Sequence, residues 1–442
     1  MRCRTQGAWA PEVSPGDWPR AIAGFAGGAV ASADAAPQSP RRFTAARHPP
    51  YPEPGGREPV GESVVGARHA AAVVIAALAH AACQRAPPKP APQPPDARAA
   101  RIEAALQRLY VDSQATGLVV AVARGDQTEV RGFGHLGPLD PAPTNGKTLV
   151  RLESVSKLFA AQLLSGQVAA GRMRLADPLA LYAPKGWTAR REKGAEPVEL
   201  LNLATHTSGL PRESGLKPGL TTSAAAEARW AWLARQRRLP PPGRRASYSN
   251  IAFDVLGDSV AEASGAPYAE ALAASVSRPL GMVDTTPAPT PDQCARLMSP
   301  DPARPPHPCV DQSDHAASGG LYSTADDMAR WLAAQLAPGA AADARRISQA
   351  IYVQRAALDA AVGLDHAGPA SAIGLAWIEQ AASADHPRIL EKTGGGDGFL
   401  NYVVIDPARR VGVFVAFDNV SGQRMAPVTI DANELVGLLG AP

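Results

Sequence analysis

The strand-forming segments of this chain are split between its two ends. Residues 117–123 and 128–132 read as paired strands around a Gly125-Asp126 turn. The next such segments, 372–378, 388–392, 400–405 and 411–417, come only near the C-terminus. From about 176 to 314 the pattern is mostly helical, with 199–203, 224–239 and 251–264 separated by proline-rich loops. Strands at both ends of a helical middle imply one sheet built from distant segments. The expected fold is α/β (α+β): an antiparallel sheet flanked by helices, with an all-helical lobe at about 176–314 inserted. Apolar spacing also predicts helices over 99–111 and 432–439. Ser323-Thr324-Ala325-Asp326-Asp327 reads as a capped helix start, its aspartates facing the helix dipole rather than a substrate.

Three short strings fall on these elements. Ser154-Val155-Ser156-Lys157 leads into Leu158-Phe159-Ala160-Ala161-Gln162-Leu163-Leu164, a strong helix former that stops near Gly171. A serine hydroxyl is a poor nucleophile until a neighbouring base takes its proton. A lysine three residues on lies one helical turn away on the same face. Tyr248-Ser249-Asn250 is selective, because Tyr248 alone among eight tyrosines has Asn two residues later. Lysine is scarce, at seven of 44 basic residues, and only Lys392 precedes Thr393-Gly394. Together the strings supply a nucleophile, two candidate bases and an anion-binding strand. A second Ser-x-x-Lys, from Ser214 to Lys217, runs into Pro218-Gly219 and reads as a loop. His206 reads as a structural loop histidine, since Lys157 and Tyr248 already supply the base. Trp230, Trp232 and Trp331 sit on helical patterns and read as core.

The basic balance belongs to the N-terminal tail. Residues 1–98 hold 11 basic and 7 acidic side chains, and the remainder 33 and 34. The body therefore carries no nucleic-acid footprint. Residues 1–63 read as disordered or untranslated, with a true start near Val64 or Val65. Residues 64–83 read as an export signal. The apolar run 70–82 is broken only by His80 and is well short of the roughly 20 residues of a bilayer span. Ala81-Ala82-Cys83 resembles a lipoprotein cleavage box, although His80 stands where an aliphatic residue is usual. Both lipidation of Cys83 and an ordinary signal cut remain open. Residues 84–98 read as a stiff proline-rich linker, and 99–442 as the functional domain. The expected location is periplasmic, or lipid-anchored facing the periplasm.

Cys294 and Cys309 bracket a proline-rich loop, 300–308, and in an oxidising compartment predict a disulfide. Closing a loop of about 15 residues contributes roughly 3 kcal/mol in the chain-entropy model. No Cys/His cluster has zinc spacing, so no metal or other cofactor is expected.

The three strings resemble the signature elements of the serine β-lactamase and penicillin-binding protein superfamily, on its class C side. Supporting strings are Ala204-Thr205-His206-Thr207-Ser208-Gly209-Leu210-Pro211, Pro279-Leu280-Gly281-Met282 and Gly319-Gly320-Leu321-Tyr322-Ser323-Thr324. The resemblance spans roughly 100–440. Within the group the chain looks most like AmpH-type D-alanyl-D-alanine carboxypeptidase/endopeptidases. That likeness rests on Gln293-Cys294-Ala295-Arg296-Leu297-Met298 and on Lys392-Thr393-Gly394-Gly395-Gly396 through Gly398-Phe399. No Ser-Asp-Asn string is present, which disfavours the class A branch.

The resemblance implies roles. Ser154 attacks the carbonyl carbon and is acylated. Lys157 shares the proton network, with Tyr248 as rival base and activator of the deacylating water. Asn250 positions the substrate amide. Lys392 and Thr393, with Gly394, bind the substrate carboxylate, and Lys392 and Thr393 also orient Tyr248. Backbone N–H groups of Ser154 and Gly395 form the oxyanion hole. Asp397 takes no role. The expected function is hydrolysis of acyl-D-alanine bonds in peptidoglycan peptides, with penicillins acylating the same serine. The alternatives are a class C-like β-lactamase, an esterase or D-aminopeptidase, and a non-hydrolytic β-lactam sensor.

Overall fold

Along the strand Gly117–Arg124 successive side chains enter two different cores. Leu118, Val120 and Val122 belong to one cluster; Val119, Ala121 and Ala123 belong to the other. That is the period-two alternation of a strand covered on both faces. The computed structural model describes residues 97–188, 194–216, 221–299, 309–339, 341–384, 386–418 and 425–440. The apolar run 70–82, Cys83 and the run of prolines from 87 to 95 lie outside the described residues, as does the loop 300–308.

Among the described residues the main sheet has nine strands. In spatial order they are Asp140–Pro143, Gln127–Gly137, Gly117–Arg124, Val411–Asp418, Phe399–Asp406, Ile389–Gly396, Ile378–Gln380, Ala372–Gly374 and Ile351–Gln354. Every neighbouring pair is antiparallel. Leu118 opposite Phe417 joins the first strand to the last, so the two ends of the sequence meet mid-sheet. Arg124 opposite Gln127 leaves Gly125-Asp126 as a two-residue turn, with Gly125 at φ 60°.

Two helical layers cover the sheet. The terminal helices Ala97–Ser113 and Met425–Gly440 bury Leu106, Leu109, Val428 and Leu435 against Val120, Val404 and Val415. The opposite face takes Ser156–Ala169 and Ala325–Leu336, whose Phe159, Leu163, Trp331 and Leu332 join Ala121, Val403 and Phe414. Thr324 caps the latter helix by accepting the Asp327 N–H. The inserted segment holds Leu200–Ala204, Thr222–Ala234, Asn250–Ser264 and Tyr268–Leu272. Cys294 and Cys309 are disulfide-bonded, with Cα atoms 5.7 Å apart.

The expected strand at 372–378 is two strands. Gly374 N–H bonds back to Trp377 O at 2.8 Å, and Ala376 takes φ 62° in the tight turn between them. Apolar side chains continue through that turn, so the pattern hides the reversal. Two small strand pairs were not foreseen, and both lead into the site. Leu149–Arg151 pairs with Tyr322–Thr324 just before Ser154. Arg245–Ser247 pairs in parallel with Ala360–Val362 just before Tyr248.

Candidate active site

Ser154 lies on a 3-10 turn, Glu153–Val155, two residues before its helix begins at Ser156. The preceding Glu153 has φ 49°, a conformation side chains other than glycine rarely take. Lys157, one turn into the helix, is fully buried. Its Nζ lies 3.1 Å from Ser154 Oγ, 2.7 Å from Asn250 Oδ1 and 2.5 Å from Ser318 O. Burial pushes the Lys157 ammonium down to about 7, against the opposing pull of the Asp254 and Glu213 carboxylates.

Tyr248 and Asn250 reach Ser154 from the start of the Asn250–Ser264 helix. Ser249 caps that helix, its Oγ accepting from Ala252 N–H at 3.1 Å. Tyr248 Oη donates to Ser154 Oγ at 2.5 Å. Its ring gathers cations: Lys157 Nζ at 4.9 Å, Lys392 Nζ at 5.1 Å and Arg212 Cζ at 4.8 Å from the centroid. Asn250 Nδ2 donates to Glu213 Oε1 at 2.5 Å, which fixes the amide with its oxygen toward Lys157.

The third element is the strand Ile389–Gly396. Its outer neighbour covers only residues 389–391, ending where Ile378 faces Glu391. Lys392–Gly396 run on past it, beside the Ser154 turn. A methyl group at Gly394 would lie 2.6 Å from Leu152 O and 3.2 Å from Ser154 N, so only glycine allows this approach. A cleft opens there, lined by Ser154, Tyr248, Thr393, Gly394, Gly395 and Leu400, with Arg212 and His366 at its rim. Lys392 Nζ donates to Thr393 O at 3.0 Å, and burial pushes its ammonium down. Asp397, at the turn beyond the strand, pairs with Arg151, which also faces Glu153 Oε1 at 3.7 Å. Burial raises the Glu153 carboxyl to about 7.

Ser154, Tyr248, Thr393, Gly394 and Gly395 line this cleft, and Lys157, Asn250 and Lys392 are joined to them through Ser154 Oγ, Lys157 Nζ and the Tyr248 ring. Ser214 is not among them: its Oγ accepts the Leu216 N–H at 3.2 Å within a loop, and Lys217 lies outside the described residues. His206 is buried under Tyr248, with ring centroids 4.5 Å apart. Its Nδ1 accepts the Ser249 N–H at 3.1 Å. Burial, then the charges of Lys157, Lys392 and Arg212, holds it well below the usual imidazole range, so it is a neutral support for the Tyr248 ring. Trp331 is core; Trp230 is buried and accepts Trp187 Nε1–H at its carbonyl, and Trp232 is half-buried. Among the described residues no group of three His, Cys, Asp or Glu side chains is placed to hold a metal ion.

Sequence reasoning passed over Glu153, Arg212, Glu213, Asp254, Ser318 and His366. Five of them lie within four residues of a quoted string, which was the available signal: Glu153 precedes Ser154, Arg212 and Glu213 follow Leu210-Pro211, Ser318 precedes Gly319-Gly320, and Asp254 is one helical turn beyond Asn250.

A family profile described as "Beta-lactamase" matches residues 99–437. Among curated proteins, the D-alanyl-D-alanine-carboxypeptidase/endopeptidase AmpH of Escherichia coli is 37% identical over 337 residues, covering 74% of this chain and 86% of the relative. The esterase EstB of Burkholderia gladioli is 28% identical over 397 residues, covering 76% and 95%. Among solved structures, a β-lactamase/D-alanine carboxypeptidase from Yersinia pestis, complexed with citrate, superposes with a TM-score of 0.71 at 35% identity, covering 77% of this chain and 98% of that one. With its sheet, its helical layers and its serine-centred cleft, this chain belongs to the β-lactamase family and is a serine hydrolase.

Proposed function

We propose that the protein hydrolyses acyl-D-alanine bonds of peptidoglycan peptides, as a carboxypeptidase/endopeptidase, through an acyl-enzyme on Ser154. The observation that carries this reading is the bonding at Lys157. Asn250 Oδ1 and Ser318 O can only accept hydrogen bonds. A neutral amine has two N–H donors and one lone pair. The two carbonyl oxygens use the donors, which leaves the lone pair for the Ser154 proton. Burial favours that neutral amine.

Ser154 Oγ attacks the carbonyl carbon as its proton passes to Lys157 Nζ. The oxyanion is held by the N–H groups of Ser154 and Gly395; one such donor is worth about 100- to 1000-fold in rate. The scissile C–N bond breaks as Tyr248 Oη gives its proton to the leaving amine, and Lys157 returns a proton to Tyr248. Water then enters and gives a proton to the same pair as its oxygen attacks the acyl carbon; the bond from that carbon to Ser154 Oγ breaks, and the pair returns the proton to Oγ. Asn250 positions the substrate amide, and Lys392 and Thr393 bind its carboxylate. The open edge of Lys392–Gly396 suits an extended peptide added as a strand. The AmpH relative's named activity supports the choice of substrate. The disulfide and the apolar run 70–82 support an exported enzyme, periplasmic or anchored through Cys83. Mass spectrometry of the native N-terminus tests the export, and peptides from residues 1–60 would sink it.

The deciding assay measures, on one purified sample, D-alanine release from a pentapeptide muropeptide and turnover of nitrocefin. The reading expects D-alanine release. Fast nitrocefin turnover without D-alanine release would assign a β-lactamase instead, and turnover of simple esters alone an esterase.

A further inference from the structure

The cleft carries more positive charge than the acylation steps use. Arg212 and His366 reach its rim from separate loops. Arg212 is fixed through its backbone: its carbonyl accepts the N–H groups of Asn250 at 2.8 Å and Ile251 at 3.4 Å. Next to it, Pro211 O accepts Ser249 Oγ at 2.7 Å. The Arg212 backbone is therefore tied to the same helix start that carries Tyr248, and its guanidinium lies beside the ring that Lys392 also approaches. Its ion pair with Glu213 is long, at 3.9 Å, and that carboxylate is already bonded to Asn250.

His366 belongs to the loop after Ala360–Val362. That loop is pinned to Tyr248 as well: Val362 O accepts the Tyr248 N–H at 3.1 Å, and a methyl at Gly363 would lie 3.1 Å from Tyr248 Cβ. The adjacent acid, Asp365, is committed elsewhere, accepting from Arg355 and from the Ala370 N–H, each at 2.8 Å. Burial and then the charges of Lys392 and Arg212 hold the His366 imidazole low, with Asp365 opposing. Three basic groups thus converge on one cleft while the acids near them face other partners. An anion bound among them removes their mutual repulsion.

We propose that Arg212 and His366, beside Lys392 and Thr393, form a carboxylate subsite that selects substrates whose leaving amine bears an α-carboxylate. The inference rests on the acyl-D-alanine reading and narrows it. A leaving D-amino acid has that carboxylate on the carbon bonded to the scissile nitrogen. Penicillins carry one at the equivalent place. A neutral ester or a carboxamide does not.

The test compares a diacyl-L-lysyl-D-alanyl-D-alanine peptide with its C-terminal carboxamide on the full protein. In the wild type kcat/KM favours the acid. In Arg212→Gln/His366→Gln the acid-to-amide ratio falls about 10- to 100-fold, chiefly through KM for the acid, and Arg212→Lys keeps most of it. Both side chains are exposed, so the change spares the core, and the ratio cancels any general loss of folded enzyme. A ratio that does not move in the double variant overturns the subsite. A parallel comparison, acylation of Ser154 by benzylpenicillin and by its methyl ester read by intact mass, needs no peptide turnover. If the peptides fail and this preference persists in the wild type and collapses in the variant, the subsite stands and the peptide substrate falls. Equal acylation by acid and ester in the wild type overturns the subsite.

Discussion

Asp254→Asn tests whether Lys157 is the base. Asp254 lies one turn beyond Asn250 on the same helix, and its Oδ1 is buried without a hydrogen-bond partner. It bonds the Ser318 side chain, and Ser318 O accepts Lys157 Nζ at 2.5 Å. Apart from burial, its charge is the largest influence on Lys157, and it favours the ammonium; Glu213 and Glu153 act in the same direction, Arg212 against. Burial raises the Asp254 carboxyl to about 6, so it is charged at pH 7 and above. A lysine at about 7 is half neutral at pH 7, whereas one at an ordinary value near 10.5 is neutral in only about one molecule in 3000. If kcat/KM follows the neutral amine, its acid limb lies near pH 7 and falls tenfold per pH unit below that. Across the Ser318 bridge, at an effective dielectric of about 20, removing the charge lowers the lysine by about 1 to 2 units. The acid limb of Asp254→Asn should move to lower pH by that amount. The measurement is kcat/KM for D-alanine release between pH 5 and 9. A purely structural role would lower the plateau and leave the limb in place. A limb that stays fixed or moves up would refute Lys157 as base.

Further outcomes follow from the same geometry. Gly394→Ala puts a methyl 2.6 Å from Leu152 O, forcing the strand from the Ser154 turn, so acylation by fluorescent penicillin should fall at least 100-fold while thermal unfolding stays cooperative; wild-type labelling rates would contradict this. Glu391 is buried beside Lys392 with Oε2 unpartnered, and burial raises its carboxyl to about 8. The folded protein keeps that proton while the unfolded chain loses it near pH 4.5, so stability falls as pH rises from about 4.5 to 8. Glu391→Gln should remove that slope and stabilise the protein by on the order of 3 kcal/mol at pH 7, with little change at pH 4. An unchanged melting profile across pH would count against a neutral Glu391.

The central sheet was legible because its strands, covered on both faces, read as unbroken apolar runs, as Leu118 to Ala123 does. The reversal at Gly374–Ala376 was hidden because its side chains are apolar on both sides of the turn. Ser154, Lys157, Tyr248, Asn250 and Lys392 stood out because their spacing is fixed by a helix turn, a helix cap and a strand. Their supporting residues, Asp254 one turn beyond Asn250 apart, have no such spacing. His366 arrives through a parallel pairing between Arg245–Ser247 and Ala360–Val362, which no local pattern announces. Glu153 takes φ 49°, a backbone its own side chain gives no reason to expect. Asp254 looks like any polar residue on a helix until the helix face toward Lys157 is known.

The most direct test is to locate the acyl group. The protein is incubated with benzylpenicillin, quenched, digested and mapped by mass spectrometry. The adduct should sit on Ser154, vanish in Ser154→Ala together with D-alanine release, and persist in Ser214→Ala. An adduct on Ser214, or D-alanine release that survives Ser154→Ala, would contradict the assignment of Ser154 as nucleophile.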